Sequence, residues 1–116
     1  MIFFADLQAV RIFTNKARMK EGTITEKQKR LARYAKALGH PVRVFVMELL
    51  SQQSCCYSGE LSDELPIAKS TLSQHLKELK DSGLIQGKIE SPRIKYCINK
   101  ENWNEARELV NSFFEL

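Results

Sequence analysis

Hydrogen-bonding and basic side chains are concentrated in a stretch from residue 69 to residue 82. Leu72, Leu76 and Leu79 recur there at the spacing of one helix face, so the polar side chains between them turn outward. Gln can bond the edge of an adenine in two places, Ser and Thr can bond bases or phosphates, and Lys neutralises phosphate. A helix with this outward face is suited to the major groove of DNA. The predicted contact residues are Lys69, Ser70, Thr71, Ser73, Gln74, His75 and Lys77.

Three further basic side chains lie in a predicted hairpin. Residues 84–89 and 93–98 are expected to be strands on either side of a turn at Glu90-Ser91-Pro92. The chain carries a net charge of +4. Residues 69–100 hold seven basic and three acidic side chains, so the excess is confined to this region. Basic side chains on the hairpin are expected to hold the phosphate backbone or the minor groove. They are Lys88, Arg93 and Lys95.

The rest of the sequence predicts a mainly helical scaffold for these residues. Thr25 is the expected cap of a helix to about Leu38, and His40-Pro41 opens a second helix. A loop or short strand over 51–58 precedes a short helix over 59–65, and a tight turn leads into the helix at 69, which Gly83 ends. Asn99 is expected to cap a last helix with a broad apolar stripe. The predicted fold is mainly α with a small β-hairpin wing: a winged helix-turn-helix over residues 23–116, after an N-terminal extension over residues 1–22.

Three cysteines form the second group with chemical potential: Cys55, Cys56 and Cys97. An odd number with two adjacent members does not indicate a secreted disulfide framework, so a reducing, cytoplasmic location is predicted. The strand before the short helix is expected to pair with the second wing strand, which would bring all three thiols near one another. Side chains alternate along a strand, however, so Cys55 and Cys56 should face opposite ways and only one need face Cys97.

Four runs of the sequence together resemble the ArsR-type transcriptional repressors. They are Ala37-Leu38-Gly39-His40-Pro41-Val42-Arg43, Gly59-Glu60-Leu61, Ser70-Thr71-Leu72-Ser73-Gln74-His75-Leu76 and Leu79-Lys80-Asp81-Ser82-Gly83-Leu84-Ile85. The resemblance implies a cytoplasmic bacterial or archaeal homodimer, paired through its first and last helices, that binds a promoter palindrome and is released by a metal or metalloid ion. It implies that residues 69–82 are the recognition helix and residues 87–98 the wing. Ala68 departs from the family, which often has a hydroxyl at that helix cap.

For the cysteines, the resemblance implies a site for a soft ion such as arsenite, antimonite or another thiophilic ion, with Cys55, Cys56 and Cys97 as ligands. Buried structural thiols and a redox switch are the alternatives, and zinc is disfavoured because only His40 and His75 could complete a tetrahedral site. His75 is expected to pack or to face DNA rather than bind a metal. No obligatory cofactor is predicted.

Other classes of function receive less support from the sequence. A Gly-rich phosphate loop, a metal cluster with a base and a nucleophile with its partners are all missing, so an enzyme is not expected. The apolar N-terminal residues are interrupted by Asp6, Gln8 and Arg11, which argues against a membrane helix or signal peptide. A winged helix that binds a protein instead of DNA, and a DNA-binding protein with a redox trigger, a partner-protein trigger or none, remain as alternatives.

Overall fold

The computed structural model describes residues 22–116, which leaves the predicted extension over residues 1–22 outside the described residues except for Gly22. This part of the chain contains five helices and three strands, and the predicted fold class is confirmed. The elements are α1 (Glu26–Ala37), α2 (Pro41–Gln53), β1 (Cys55–Tyr57), α3 (Ser58–Glu64), α4 (Lys69–Ser82), β2 (Ile85–Glu90), β3 (Arg93–Ile98) and α5 (Lys100–Phe114).

Three of the helices begin at side-chain caps that the sequence predicts. The Thr25 hydroxyl accepts a hydrogen bond from the Gln28 amide, and the Gln28 side chain accepts one from the Thr25 amide, which is a complete capping box. His40 Nδ1 accepts from the Val42 amide at 3.1 Å, with Pro41 in the first helical turn. Asn99 caps α5 by accepting from the Asn102 amide at 3.1 Å. These caps satisfy amides that have no partner inside the helix.

The predicted end of α2 is wrong by three residues. The apolar stripe stops at Leu50, but the helix continues to Gln53, because polar residues can extend a helix whose other side is already solvated. It ends where Ser54 takes a φ of 67°. The strand predicted within residues 51–58 is present as β1, directly before α3.

A single apolar core lies between the helices and one face of the sheet. Leu50, Leu61, Leu79 and Leu84 are fully buried in it. At its edge, Tyr34 of α1 donates a hydrogen bond to Glu105 of α5 at 2.8 Å. Burial and this bond raise the pKa of Tyr34 to about 12, so the hydroxyl stays protonated and ties the first helix to the last.

The sheet is antiparallel in the order β1-β3-β2, with β1 at one edge. Its register pairs Cys55 with Cys97 and Tyr57 with Lys95 on one side of β3. On the other side it pairs Lys88 with Lys95 and Glu90 with Arg93. The hairpin of β2 and β3 is the predicted wing.

A glycine joint sets the end of α4. Gly83 has a φ of 88°, and an added Cβ would lie 2.8 Å from Nδ2 of Asn102, so both the conformation and the space require glycine. Asn102 donates from that amide to the Gly83 carbonyl at 2.9 Å. The last turn of α4 is therefore bound to the first turn of α5.

Candidate DNA interface and thiol pair

The outward side of α4 is open to solvent along its length. Leu72, Leu76 and Leu79 are at most 3% exposed and fix the helix against the core. Ala68 at the start provides no side-chain cap, an arrangement that typically costs about 1 kcal/mol of helix stability. Six of the seven side chains predicted to contact DNA from this helix are exposed: Lys69, Ser70, Thr71, Ser73, Gln74 and Lys77.

Asp81, near the end of α4, takes part in two contacts, one within the helix and one with α1. Lys77 Nζ lies 2.7 Å from Oδ2 of Asp81, one turn later. The Arg33 side chain of α1 donates to the Asp81 carbonyl. The ammonium of Lys77 is three-quarters exposed, so the ion pair is a weak surface one and leaves Lys77 able to exchange Asp81 for a phosphate.

His75 differs from its neighbours because it packs inside the protein. It is partly buried, its ring centroid lies 4.2 Å from that of His40, and its Nδ1 lies 3.0 Å from Nη1 of Arg43. A guanidinium only donates, so Nδ1 must be unprotonated in this contact. Arg43 also donates from Nε to the Ala37 carbonyl at 2.6 Å. Together these contacts link α1, α2 and α4.

The same surroundings make His75 sensitive to acid. Burial lowers the pKa of His75 below its usual 6.5, and the charges of His40 and Arg43 lower it further. The unfolded chain therefore binds a proton at His75 more readily than the folded protein does. As the pH falls below about 6.5, this difference lowers the free energy of unfolding. The decrease ends once the pH is below the lower pKa that His75 has in the folded protein.

We expect the urea concentration at the unfolding midpoint of the wild type to decrease when the pH is lowered from 7.5 to 5.5. These two pH values lie on either side of the ordinary histidine pKa. His75→Gln keeps an acceptor for Arg43 without a proton to gain, so its midpoint should change less over this range. An equal fall in both proteins would contradict a role for His75 in the acid response.

The three basic residues predicted on the wing lie on one face of the sheet. Lys88 and Lys95 are register partners, and Arg93 is two residues from Lys95 on the same strand. Tyr57 of β1 shares this face, since it is the other register partner of Lys95. The wing thus presents a row of cations on the face of the sheet opposite the buried Cys56, an arrangement suited to gripping phosphates.

The cysteines divide between the two faces of the sheet, as strand alternation predicts. Cys55 and Cys97 face each other across β1 and β3 and are joined by a disulfide, with their Cα atoms 4.2 Å apart. Cys56 is 1% exposed in the core, and its thiol donates to Oε1 of Gln53 at 2.9 Å. Burial raises the pKa of the Cys56 thiol, and the carboxylates of Glu60 and Glu64 raise it further.

A three-sulfur ion site is therefore not assembled by this fold. Cys56 points away from the Cys55–Cys97 pair and remains a thiol rather than a thiolate. Within residues 22–116, His, Cys, Asp and Glu side chains form no group of three or more that could hold a metal ion.

Sequence reasoning missed two residues of this region. The motif that contains Arg43 predicts no contact for its side chain, although Arg43 holds His75 and the end of α1. The sequence predicts a loop or short strand at Tyr57 and no role for its side chain, although Arg93 lies over its ring. Alternation along β1 predicts that Tyr57 lies on the same face as Cys55. It does not predict the partner strand or the register, which decide that Arg93 lies over the ring.

The family model described as bacterial regulatory protein, arsR family, matches residues 40–86, from the start of α2 to the start of the wing. The HTH-type transcriptional regulator YgaV of Escherichia coli is 36% identical over 69 residues, which cover 60% of this chain and 70% of that protein. The chain belongs to the ArsR family.

Two further similarities extend the assignment of this ArsR-family chain. The biofilm growth-associated repressor of Xylella fastidiosa is 30% identical over 86 residues, covering 74% of this chain and 72% of the relative. A crystal structure of an ArsR family transcriptional regulator matches with a TM-score of 0.67 at 24% identity, over 75% of this chain and 89% of that one, and supports the fold.

The family establishes the general activity. The chain is a DNA-binding transcriptional regulator of the ArsR family, a class of repressors that are not enzymes, as the sequence predicts. None of the helices in residues 22–116 is both long and apolar enough to cross a membrane. In this ArsR-family regulator, α3 and α4 form the helix-turn-helix of the fold, and α4 occupies the position predicted for the recognition helix.

Proposed function

We propose that this ArsR-family chain is a homodimeric, cytoplasmic repressor of a palindromic promoter site, and that its release from DNA is triggered by the Cys55–Cys97 pair. The observation that carries the trigger is the covalent bridge between β1 and the wing strand β3. Disulfides do not persist by default in a reducing cytoplasm, so one built into a cytoplasmic regulator is suited to respond to oxidants.

The homodimer is supported by an apolar groove of about 600 Å³ between α1 and α5. Leu31 and Ala35 of α1 line one side. On the other, Phe113 and Phe114 of α5 are 51% and 78% exposed, an unusual state for neighbouring aromatics in a soluble protein. A second copy would cover the same face of its partner, as a twofold axis requires. Pairing the first and last helices in this way places two recognition helices on one duplex, which a palindrome matches.

The trigger reaction can be written completely for a peroxide. Two thiols give up two protons and two electrons, the Cys55–Cys97 bond forms, and hydrogen peroxide is reduced to two waters; a cellular dithiol reverses the step. The buried Cys56 takes no part, because its thiol points into the core and its pKa is raised by burial. The structure as described corresponds to the oxidised state.

Arsenite or antimonite is a second candidate inducer, favoured by the proximity of the same two sulfurs. Once reduced, Cys55 and Cys97 would be close enough to share one thiophilic ion. Cys56 would remain outside that site because it faces the core. A two-sulfur site of this kind and the disulfide exclude each other, so the two triggers are separable.

The test uses an operator selected from a randomised duplex library by the reduced protein, and we expect an inverted repeat with half-sites about one helical turn apart. Affinity for this operator is measured with a dithiol reductant, after peroxide treatment, and with arsenite added to the reduced protein. We expect peroxide to weaken binding by about 5- to 150-fold, the usual range of coupling between two sites.

Single cysteine variants provide matched controls for this test. Cys55→Ser and Cys97→Ser should each keep the reduced affinity after peroxide, whereas Cys56→Ser should respond as the wild type does. If peroxide leaves wild-type affinity unchanged, the redox trigger is wrong; if arsenite alone releases the operator, the metalloid is the inducer.

A further inference from the structure

Tyr57 lies between the thiol pair and the cations of the wing. It follows Cys55 by two residues on β1, so both side chains are on the same face of the sheet. The guanidinium carbon of Arg93 lies 4.1 Å from the centroid of the Tyr57 ring, and Nζ of Lys95 lies 5.9 Å from it. Both distances allow attraction between a cation and an aromatic face. Two of the three basic wing residues thus share one aromatic partner.

Glu90 holds the Tyr57 ring in this position. The Tyr57 hydroxyl donates to Oε2 of Glu90 at 2.8 Å, across the full width of the sheet from β1 to β2. Glu90 is also the register partner of Arg93, which puts its carboxylate on the same face as the guanidinium. Arg93 therefore has an aromatic partner within the protein that competes with a DNA phosphate.

The disulfide secures the strand that carries Tyr57. β1 is only three residues long and lies at the edge of the sheet, so few backbone pairs hold it. The Cys55–Cys97 bond fixes β1 to β3 two residues before Tyr57. Once the bond is reduced, the ring is kept beneath Arg93 and Lys95 by the backbone pairs of a short edge strand, the buried side chain of Cys56 and the hydrogen bond to Glu90, without a covalent link.

We propose that Tyr57 is the positioning residue through which the Cys55–Cys97 pair controls the wing, an inference that rests on the thiol trigger proposed above. In the oxidised protein, the ring, which the bond to Glu90 orients, holds Arg93 and Lys95 against the sheet and away from phosphate. In the reduced protein, β1 loosens and both cations become free to neutralise the DNA backbone. Tyr57 exchanges no electrons; peroxide oxidises the two thiols and a dithiol reduces them.

The test compares wild type and Tyr57→Ala, each oxidised and each reduced, on the selected operator. Oxidised Tyr57→Ala should bind about fivefold more tightly than oxidised wild type, the value of one exposed cation–π contact. Its plot of log affinity against log salt should be steeper by one to two phosphate contacts, up to one for each cation released. The two reduced proteins should bind equally, because the ring no longer holds the cations there.

Tyr57→Phe is the matched control, since it keeps the ring and loses only the hydroxyl. Oxidised Tyr57→Phe should bind less tightly than oxidised Tyr57→Ala, because the ring remains although its bond to Glu90 is lost; behaviour like Tyr57→Ala would overturn the role of the ring. An equal gain for Tyr57→Ala in both states would also overturn the inference, because the ring would then act independently of the disulfide. If oxidation does not change the affinity of the wild type, the thiol trigger is wrong, and the role of Tyr57 is not the cause of the failure. Cys55→Ser shows what this lack of response looks like. Thiol titration confirms that each sample was oxidised.

Discussion

Replacing Gln74 by Ala is expected to weaken binding to the selected operator by about 10- to 100-fold, because one two-point contact to a base typically contributes 1–3 kcal/mol of discrimination. Gln74 is exposed, in the middle of the outward side of α4, and has the amide that can bond both edge atoms of an adenine. Binding to an unrelated duplex should change little, since phosphates contribute most of that affinity.

Lys88→Ala is the matched comparison for Gln74→Ala. Lys88 is exposed on the wing, where it faces Lys95 across the hairpin. Its loss should weaken operator and unrelated duplex alike and reduce the salt slope by about one. Affinities measured over a salt series separate the two behaviours. A uniform loss in Gln74→Ala would mean that this residue supports binding without reading a base.

Charging the exposed end of α5 is expected to separate the proposed dimer. The double change Phe113→Asp and Phe114→Asp places two carboxylates in the groove between α1 and α5, where a second copy would bury them. Because both rings are already more than half exposed, the monomer fold should persist. A monomer binds only one half-site and lacks the gain from bivalent binding, so its affinity for the operator should be lower by about 10²- to 10⁴-fold.

Val44→Asp controls for the added charge, since Val44 is 40% exposed and lies on α2, outside that groove. It should stay dimeric in analytical ultracentrifugation, whereas the α5 variant should sediment as a monomer with unchanged circular dichroism. A dimer that survives both aspartates would place the subunit contact elsewhere.

How far the sequence predicts this structure depends on the kind of signal each residue carries. The three leucines of α4 repeat at helical spacing and must face the core, so the outward position of Gln74 follows directly. Thr25, Asn99 and Gly83 act through local geometry, and their caps are visible without knowledge of the fold.

Residues whose role depends on a distant partner were less predictable. Alternation separates Cys55 from Cys56, but only the register shows that Cys55 meets Cys97, because a shift of one residue would bring Cys56 to that face instead. The partners of His75 are Arg43 of α2, 32 residues earlier in the chain, and His40, which caps that helix. Tyr57 required the order of all three strands before its contacts with Arg93 and Glu90 could be inferred.

The amide of Asn102 has a consequence for operator length. It closes the end of the reading helix at Gly83 and stands in the first turn of the helix proposed to pair the subunits. In the proposed dimer, this linkage helps to set the separation of the two α4 helices, together with the packing of α4 on the core and the contact of Arg33 with the Asp81 carbonyl. Centre-to-centre spacing of half-sites, measured in base pairs, is therefore expected to change when Asn102 is replaced.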